Sequence, residues 1–219
     1  MKLQRTLFDD ATNIAPATPV LNKFIVKQLI RSTTLQSPGT LFELHTWKSA
    51  DKALTIHWKI AETVVGEIFV AATIKGICFL GFTNGDSTFA LADLQRRFPK
   101  NPLTVENIEW LDHAIKYVSN PQLNFSVPLH LKGTGFQLDV WKKLMQIPFG
   151  GLTTYGALTN SIKQARASGA AVGANPVSYI LPCHRVVHSD GSYDRYFWGT
   201  EMKRKLLAYE FANAANAPG

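Results

Sequence analysis

The chain has 219 residues, 46% of them hydrophobic, enough to bury one sizeable core or two modest ones. Two cysteines are too few for a disulfide framework, residues 1 to 77 hold none for a Cys-rich zinc module, and no apolar run reaches the roughly 20 residues that cross a bilayer. The formal charge of +7 lies mostly in residues 131 to 219, where ten Lys/Arg face five Asp/Glu, an excess that suits a polyanionic partner or a merely solvated face.

The opening "MKLQRTLFDD" meets Asp9 and Asp10 where a secretion signal needs its apolar stretch, so a cytoplasmic protein is expected, or a nuclear one in a eukaryote. Residues 1 to 52, with "ATNIAPATPV" and "RSTTLQSPGT", read as a partly ordered extension. From Ala53, "ALTIHWKIA" alternates Leu54, Ile56, Trp58 and Ile60 with Thr55, His57 and Lys59, the period of a half-buried strand. The strands "GEIFVAAT" and "KGICFLGFT" follow around a turn at Lys75 and Gly76. Helical spacing then occurs twice, in Leu91, Leu94 and Phe98 between Ser87 and Pro99, and in Ile108, Leu111, Ile115 and Val118. Residues 53–130 are therefore expected to form a small α/β domain.

Residues 131–219 differ in texture. "TGFQLDVWKKLMQIP" pairs Thr134 with Gln137 as a capping box, carries Phe136, Val140, Trp141 and Leu144 on one stripe, and stops at Pro148. "TTYGALTNSI" and "QARASGAAVGANP" read as two more helices, and "VVHSDGSYDRYFW" as a hairpin, together a helix-turn-helix unit with a wing. Ala167, Gly169, Ala170 and Gly173 make the third helix small-sided, for tight helix packing or close approach of a ligand.

Cys78, inside an apolar strand, reads as a small buried hydrophobe. Cys183 sits in "NPVSYILPCHRVV" after a proline and beside His184 and Arg185, either of which favours a thiolate. An unrelated thiol hydrolase using Cys183 and His184 is a rival reading, but adjacent side chains on an extended segment point to opposite faces, which makes direct pairing awkward without a water. A metal site from Cys183, His184 and His188 would consume the thiol as a ligand, and no metal is expected.

"FQLDVWKKL", "IPFGGLTTYG", "ARASGAAVGANP", "ILPCHRVV" and "KRKLLAYE" together resemble the O6-alkylguanine-DNA alkyltransferases, or methylated-DNA-protein-cysteine methyltransferases, and in particular the C-terminal half of the bacterial adaptive-response protein. The resemblance runs from about Leu54 to Glu210. It implies a ribonuclease-H-like α/β domain with a small antiparallel sheet and helices, then a mainly α, winged-helix-like domain with a helix-turn-helix. The implied activity is irreversible, stoichiometric transfer of an alkyl group from guanine O6 in double-stranded DNA to Cys183, by a monomer without cofactor. His184 would act as base through a water, held by Glu210. Asn175 would brace the turn, and Tyr155 would donate to guanine N3. The carbonyls of Cys183 and Val186 would accept from the guanine amino group. Arg166 would fill the gap left by the flipped nucleotide, with Ala167, Gly169, Ala170 and Gly173 against the minor groove. Lys132, Lys142, Lys143, Lys203, Arg204 and Lys205 are candidates for phosphate contacts.

Three departures from the family stand out. "TNSIKQAR" lacks the usual Gly/Pro-containing turn before Arg166. Tyr196 is followed by the bulky Phe197 and Trp198, expected to narrow the pocket. Arg195 replaces a usual glycine, for a phosphate contact or simply facing solvent. A catalytically weak sensor or regulator that only binds the lesion is the alternative reading.

Overall fold

In the computed structural model, residues 21–36, 42–121, 126–159 and 162–214 are described; the segment "ATNIAPATPV" lies outside them. Three strands, β2 (Ile56–Ala61), β3 (Ile68–Thr73) and β4 (Gly76–Phe82), form an antiparallel meander. Every residue of β3 and β4 is buried, which is why both read as continuous apolar runs, whereas β2 is covered only in part and leaves Ile60 exposed despite its alternating sequence. Their shared turn requires Gly76, whose φ is +135° and whose added Cβ would lie 2.4 Å from the Pro128 carbonyl oxygen.

Short parallel strands extend the meander into a mixed six-stranded sheet. β1 (Leu44–Thr46) pairs with β6 (Leu129–Leu131), β6 pairs with β4, and β5 (Leu103–Thr104) pairs with β2. α2 (Thr88–Arg97) and α3 (Glu109–Ser119) pack on this sheet. A buried polar lock ties the 3-10 turn Ser49–Ala53 to β6 and β3: Asp51 Oδ2 lies 3.1 Å from His130 Nε2, and His130 Nδ1 lies 2.8 Å from Thr73 Oγ1.

The second half holds α4 (Gly135–Leu144), α5 (Ala165–Gly173) and α6 (Thr200–Asn213). Thr134 and Gln137 form the expected capping box on α4. Trp141 pins α4 to α5 by donating Nε1–H to the Ala171 carbonyl at 2.8 Å. Two expected elements differ. "TTYGALTNSI", whose Asn160 and Ser161 lie outside the described residues, begins as β7 (Thr153–Thr154) and continues as a 3-10 turn, Ala157–Thr159. The wing is no hairpin: β8 (Val186–Val187) pairs in parallel with β7, and a turn closed by His188 N–H on the Ser192 carbonyl at 2.8 Å follows. Branched Thr and Val pairs favour strand wherever a partner is supplied, here from a distant part of the chain.

Two features position the chemistry. The chain at Val177 is stitched to the sheet, since Leu80 N–H donates to the Pro176 carbonyl and Ser178 N–H to the Leu80 carbonyl, both at 2.9 Å. One hydrophobic core therefore runs through both halves. In addition α1 (Lys23–Ser32), capped by Asn22, lays Val26 into a second core with Leu21, Leu152, Val187 and Leu207, behind β7 and β8. No helix among the described residues is long and apolar enough to cross a membrane.

Candidate active site

The loop from Asn175 to Leu181 is closed by one side chain. Asn175 donates Nδ2–H to the Leu181 carbonyl at 2.8 Å and accepts the Val177 N–H on Oδ1 at 2.9 Å, so a residue that reads as a helix stop in sequence braces both ends of the turn. Beyond it, Cys183, His184 and Arg185 form a 3-10 turn rather than an extended segment. The turn lets Cys183, 5% exposed, line a cavity while His184 is buried completely.

His184 Nε2 lies 2.7 Å from Glu210 Oε1, so with Nε2–H donating to the carboxylate, Nδ1 keeps the lone pair; Nδ1 has no hydrogen-bond partner among the described residues. Burial pushes the imidazole pKa down against the opposing pull of Glu210, which favours a neutral ring able to accept a proton. Tyr179 fixes the plane of that ring by stacking on it, with centroids 5.5 Å apart and planes 8° apart, and does so from a left-handed φ of +70°.

Glu210 is more than a partner of histidine. Arg185 grips it with Nε on Oε2 at 2.8 Å and Nη2 on Oε1 at 2.9 Å, while Gly150 N–H donates to Oε2 at 3.2 Å. Arg185 also donates Nη1–H to the Ile147 carbonyl at 2.6 Å and lies over the Phe149 ring. The "IPFGG" stretch thus encloses the ion pair. Burial works to raise the Glu210 pKa, but Arg185 and His184 outweigh it and hold the carboxyl at about 2. Arg185, read in sequence only as a neighbour that favours a thiolate, turns inward to hold Glu210 instead, a pairing that sequence alone does not reveal.

The cavity in front of Cys183 is about 50 Å³, walled by Tyr155, Asn175 and Ser178, by Gly169 of α5, and by Arg195, Tyr196, Phe197 and Lys203. Cys183 Sγ lies 3.8 Å from the Tyr196 hydroxyl. Burial raises the pKa of both Tyr155 and Tyr196, and a negative Cys183 adds to it, so both phenols stay protonated as donors. Val186 is buried in β8 and its carbonyl accepts from Lys203 Nζ at 2.7 Å.

Two sequence expectations change. Lys203, grouped there with possible phosphate contacts, is only 1% exposed and belongs to the cavity wall; burial lowers its pKa to about 8, against the pull of Cys183 and Asp194. Its signal was available: Lys203, Leu206 and Glu210 share one face of α6. Trp198, expected at the pocket wall, does not line the cavity. Its ring lies over Gly81 and against Phe79 and Phe82, and its Nε1–H donates to Ser178 Oγ at 2.7 Å. Arg166, Ala167 and Ala170 are exposed along α5. Cys78 is fully buried, and burial drives its thiol pKa far up. Among the described residues no three His, Cys, Asp or Glu side chains gather as a metal site.

Two domain patterns match the chain: "6-O-methylguanine DNA methyltransferase, ribonuclease-like domain" over residues 56–131 and "6-O-methylguanine DNA methyltransferase, DNA binding domain" over residues 135–212. The inducible methylated-DNA–protein-cysteine methyltransferase of Bacillus subtilis is 36% identical over 162 residues, covering 71% of this chain and 90% of that protein. The bifunctional transcriptional activator/DNA repair enzyme Ada of Escherichia coli is 33% identical over 166 residues; the match covers 73% of this chain but only 47% of Ada, about half its length. Among solved structures, Mycobacterium tuberculosis O6-methylguanine methyltransferase superposes with a TM-score of 0.58 at 27% identity, covering 72% of this chain and 94% of that one. The M. tuberculosis protein in complex with DNA gives 0.57 at 28% identity, over 71% and 93% of the two chains.

Proposed function

The chain belongs to the 6-O-methylguanine DNA methyltransferase family, and from that premise we propose that it repairs DNA by moving an alkyl group from guanine O6 to Cys183, once per molecule. The observation that carries this reading is Cys183 lining a cavity from a 3-10 turn whose next residue, His184, is buried and held by the Glu210 carboxylate. In the proposed step the Cys183 proton passes through a water to His184 Nδ1. The thiolate then attacks the alkyl carbon in line with its bond to O6. The sulfur–carbon bond forms as the carbon–oxygen bond breaks, and the electron pair stays on the purine. Tyr155 donates a hydrogen bond from its hydroxyl to N3, where that charge develops, and the proton taken up by His184 returns to neutralise the purine. The carbonyls of Cys183 and Val186 receive the guanine amino group. No acceptor regenerates the thiol, so the chain is consumed.

The base has to leave the duplex to reach this cavity, and Arg166 with the small face of Ala167, Gly169 and Ala170 is suited to hold the emptied stack from the minor groove. A cavity of about 50 Å³ is smaller than a purine, so the wall at Tyr196 and Phe197 has to yield on entry. The proposed form is a monomer in the cytoplasm, where reducing conditions keep Cys183 a thiol.

The test is incubation of the full chain with a duplex carrying O6-methylguanine, then peptide mapping. One methyl on Cys183, absent from Cys183→Ser, is expected. Tight lesion binding with no methyl on Cys183 would establish the sensor reading instead.

A further inference from the structure

Arg195 has a left-handed backbone, φ +62°, which only roughly a few per cent of non-glycine residues adopt. Its side chain is exposed and makes no ion pair or hydrogen bond among the described residues, and the neighbouring Asp194 is turned to His188 Nε2 at 3.3 Å. Yet Arg195 lines the cavity that holds Cys183, across from Gly169 and Gly173 of α5. Backbone strain persists where it serves a site.

We propose that Arg195 is a substrate-binding residue whose guanidinium grips a backbone phosphate of the extruded nucleotide. A base that passes α5 into the cavity drags its own phosphates to the mouth, between α5 and Arg195. A planar guanidinium there matches two phosphate oxygens at once. The left-handed turn aims the side chain at the mouth while Tyr196, the next residue, reaches inward to the Cys183 sulfur. Arg195 would thus report on extrusion itself, complementing Arg166 on the duplex side. This inference rests on the DNA-repair reading given above.

Wild type, Arg195→Gly and Arg195→Lys are compared on duplex O6-methylguanine and on free O6-benzylguanine, which has no phosphate. Arg195→Gly is expected to lose about tenfold more rate on the duplex than on the free base, the worth of one charge-assisted contact, and Arg195→Lys to regain part of it. In a Cys183→Ser background, Arg195→Gly is expected to make lesion-duplex affinity less steeply salt-dependent by about one phosphate. The melting temperature should rise by about 2–4 °C as the strain is relieved. An unchanged salt slope, or equal loss on both substrates, overturns the role of Arg195 alone. A wild-type chain that leaves Cys183 unmodified by either substrate overturns the DNA-repair reading, and this inference with it.

Discussion

Glu210 shows how much one residue can hold. It is 1% exposed and takes donors from His184, Arg185 and Gly150, so Glu210→Gln leaves the Arg185 cation buried without an anion. We expect a loss of about 3–5 kcal/mol in urea unfolding; adding Arg185→Met should restore part of the stability but not the transfer rate. The same carboxylate sets a pH limit. Its folded value of about 2 lies below the ordinary 4.5, and Asp51, held down by Lys75, the Lys48 N–H and His130 despite its burial, sits at about 2 against 3.8. Depressed carboxylates stabilise the fold fully above their unfolded values, because the unfolded chain takes up protons first as pH falls. The urea midpoint should therefore fall steadily between about pH 5 and pH 3, and a flat midpoint there would contradict the linkage. Side-chain size alone does not say which of two adjacent aromatics faces the cavity. Phe197 lines the cavity whereas Trp198 fills the junction with the sheet. Phe197→Ala should speed reaction with O6-benzylguanine relative to O6-methylguanine, whereas Trp198→Gly should cost about 3–5 kcal/mol of stability without changing that ratio.

At the scale of elements, what was legible depended on whether the signal was local. α4 announces itself through Thr134, Gln137 and a regular stripe, and β3 and β4 through unbroken apolar runs. β7 and β8 are two residues each, and what makes Thr153–Thr154 a strand is Val186–Val187 far along the chain, so no periodicity could reveal them. The 3-10 turn at Cys183 was hidden for the same reason, being set by Asn175 and the Glu210 network rather than by its own residues. α1 did carry its signals, an Asn22 cap and the stripe Ile25, Val26, Leu29 and Ile30. It braces the reactive region from behind. Thr33 Oγ1 accepts the Leu152 N–H at 2.9 Å, the Gln36 N–H donates to the Gln146 carbonyl at 2.8 Å, and Lys23 pairs with Asp190 at 3.1 Å. Val26→Asp places a charge among Leu152, Val187 and Leu207, and hydrogen exchange at the Leu152 and Val187 amides should quicken before exchange in β3 does. Equal protection in the variant would mean that α1 is dispensable to β7 and β8.

For the molecule as a whole, the question is whether a sheet far from the sulfur matters to transfer. The cavity wall gives the answer. Ser178 both lines the cavity and receives the Trp198 Nε1–H, while its own N–H is held by the Leu80 carbonyl in β4. Trp198 can rest against the sheet only because residue 81 is glycine, since a Cβ there would come within 2.2 Å of its ring. With one core running through both halves, heat should unfold them in a single transition rather than two. Gly81→Ala then becomes a test of coupling at a distance. The buried indole cannot move away without dragging Ser178 and breaking the 2.7 Å hydrogen bond, and such overpacking costs about 1–3 kcal/mol. Because the cavity wall itself shifts, transfer from duplex O6-methylguanine and from free O6-benzylguanine should fall together, unlike the duplex-biased loss expected of Arg195→Gly. A variant that melts earlier yet transfers at the wild-type rate on both substrates would show that the sheet supports the fold without shaping the site.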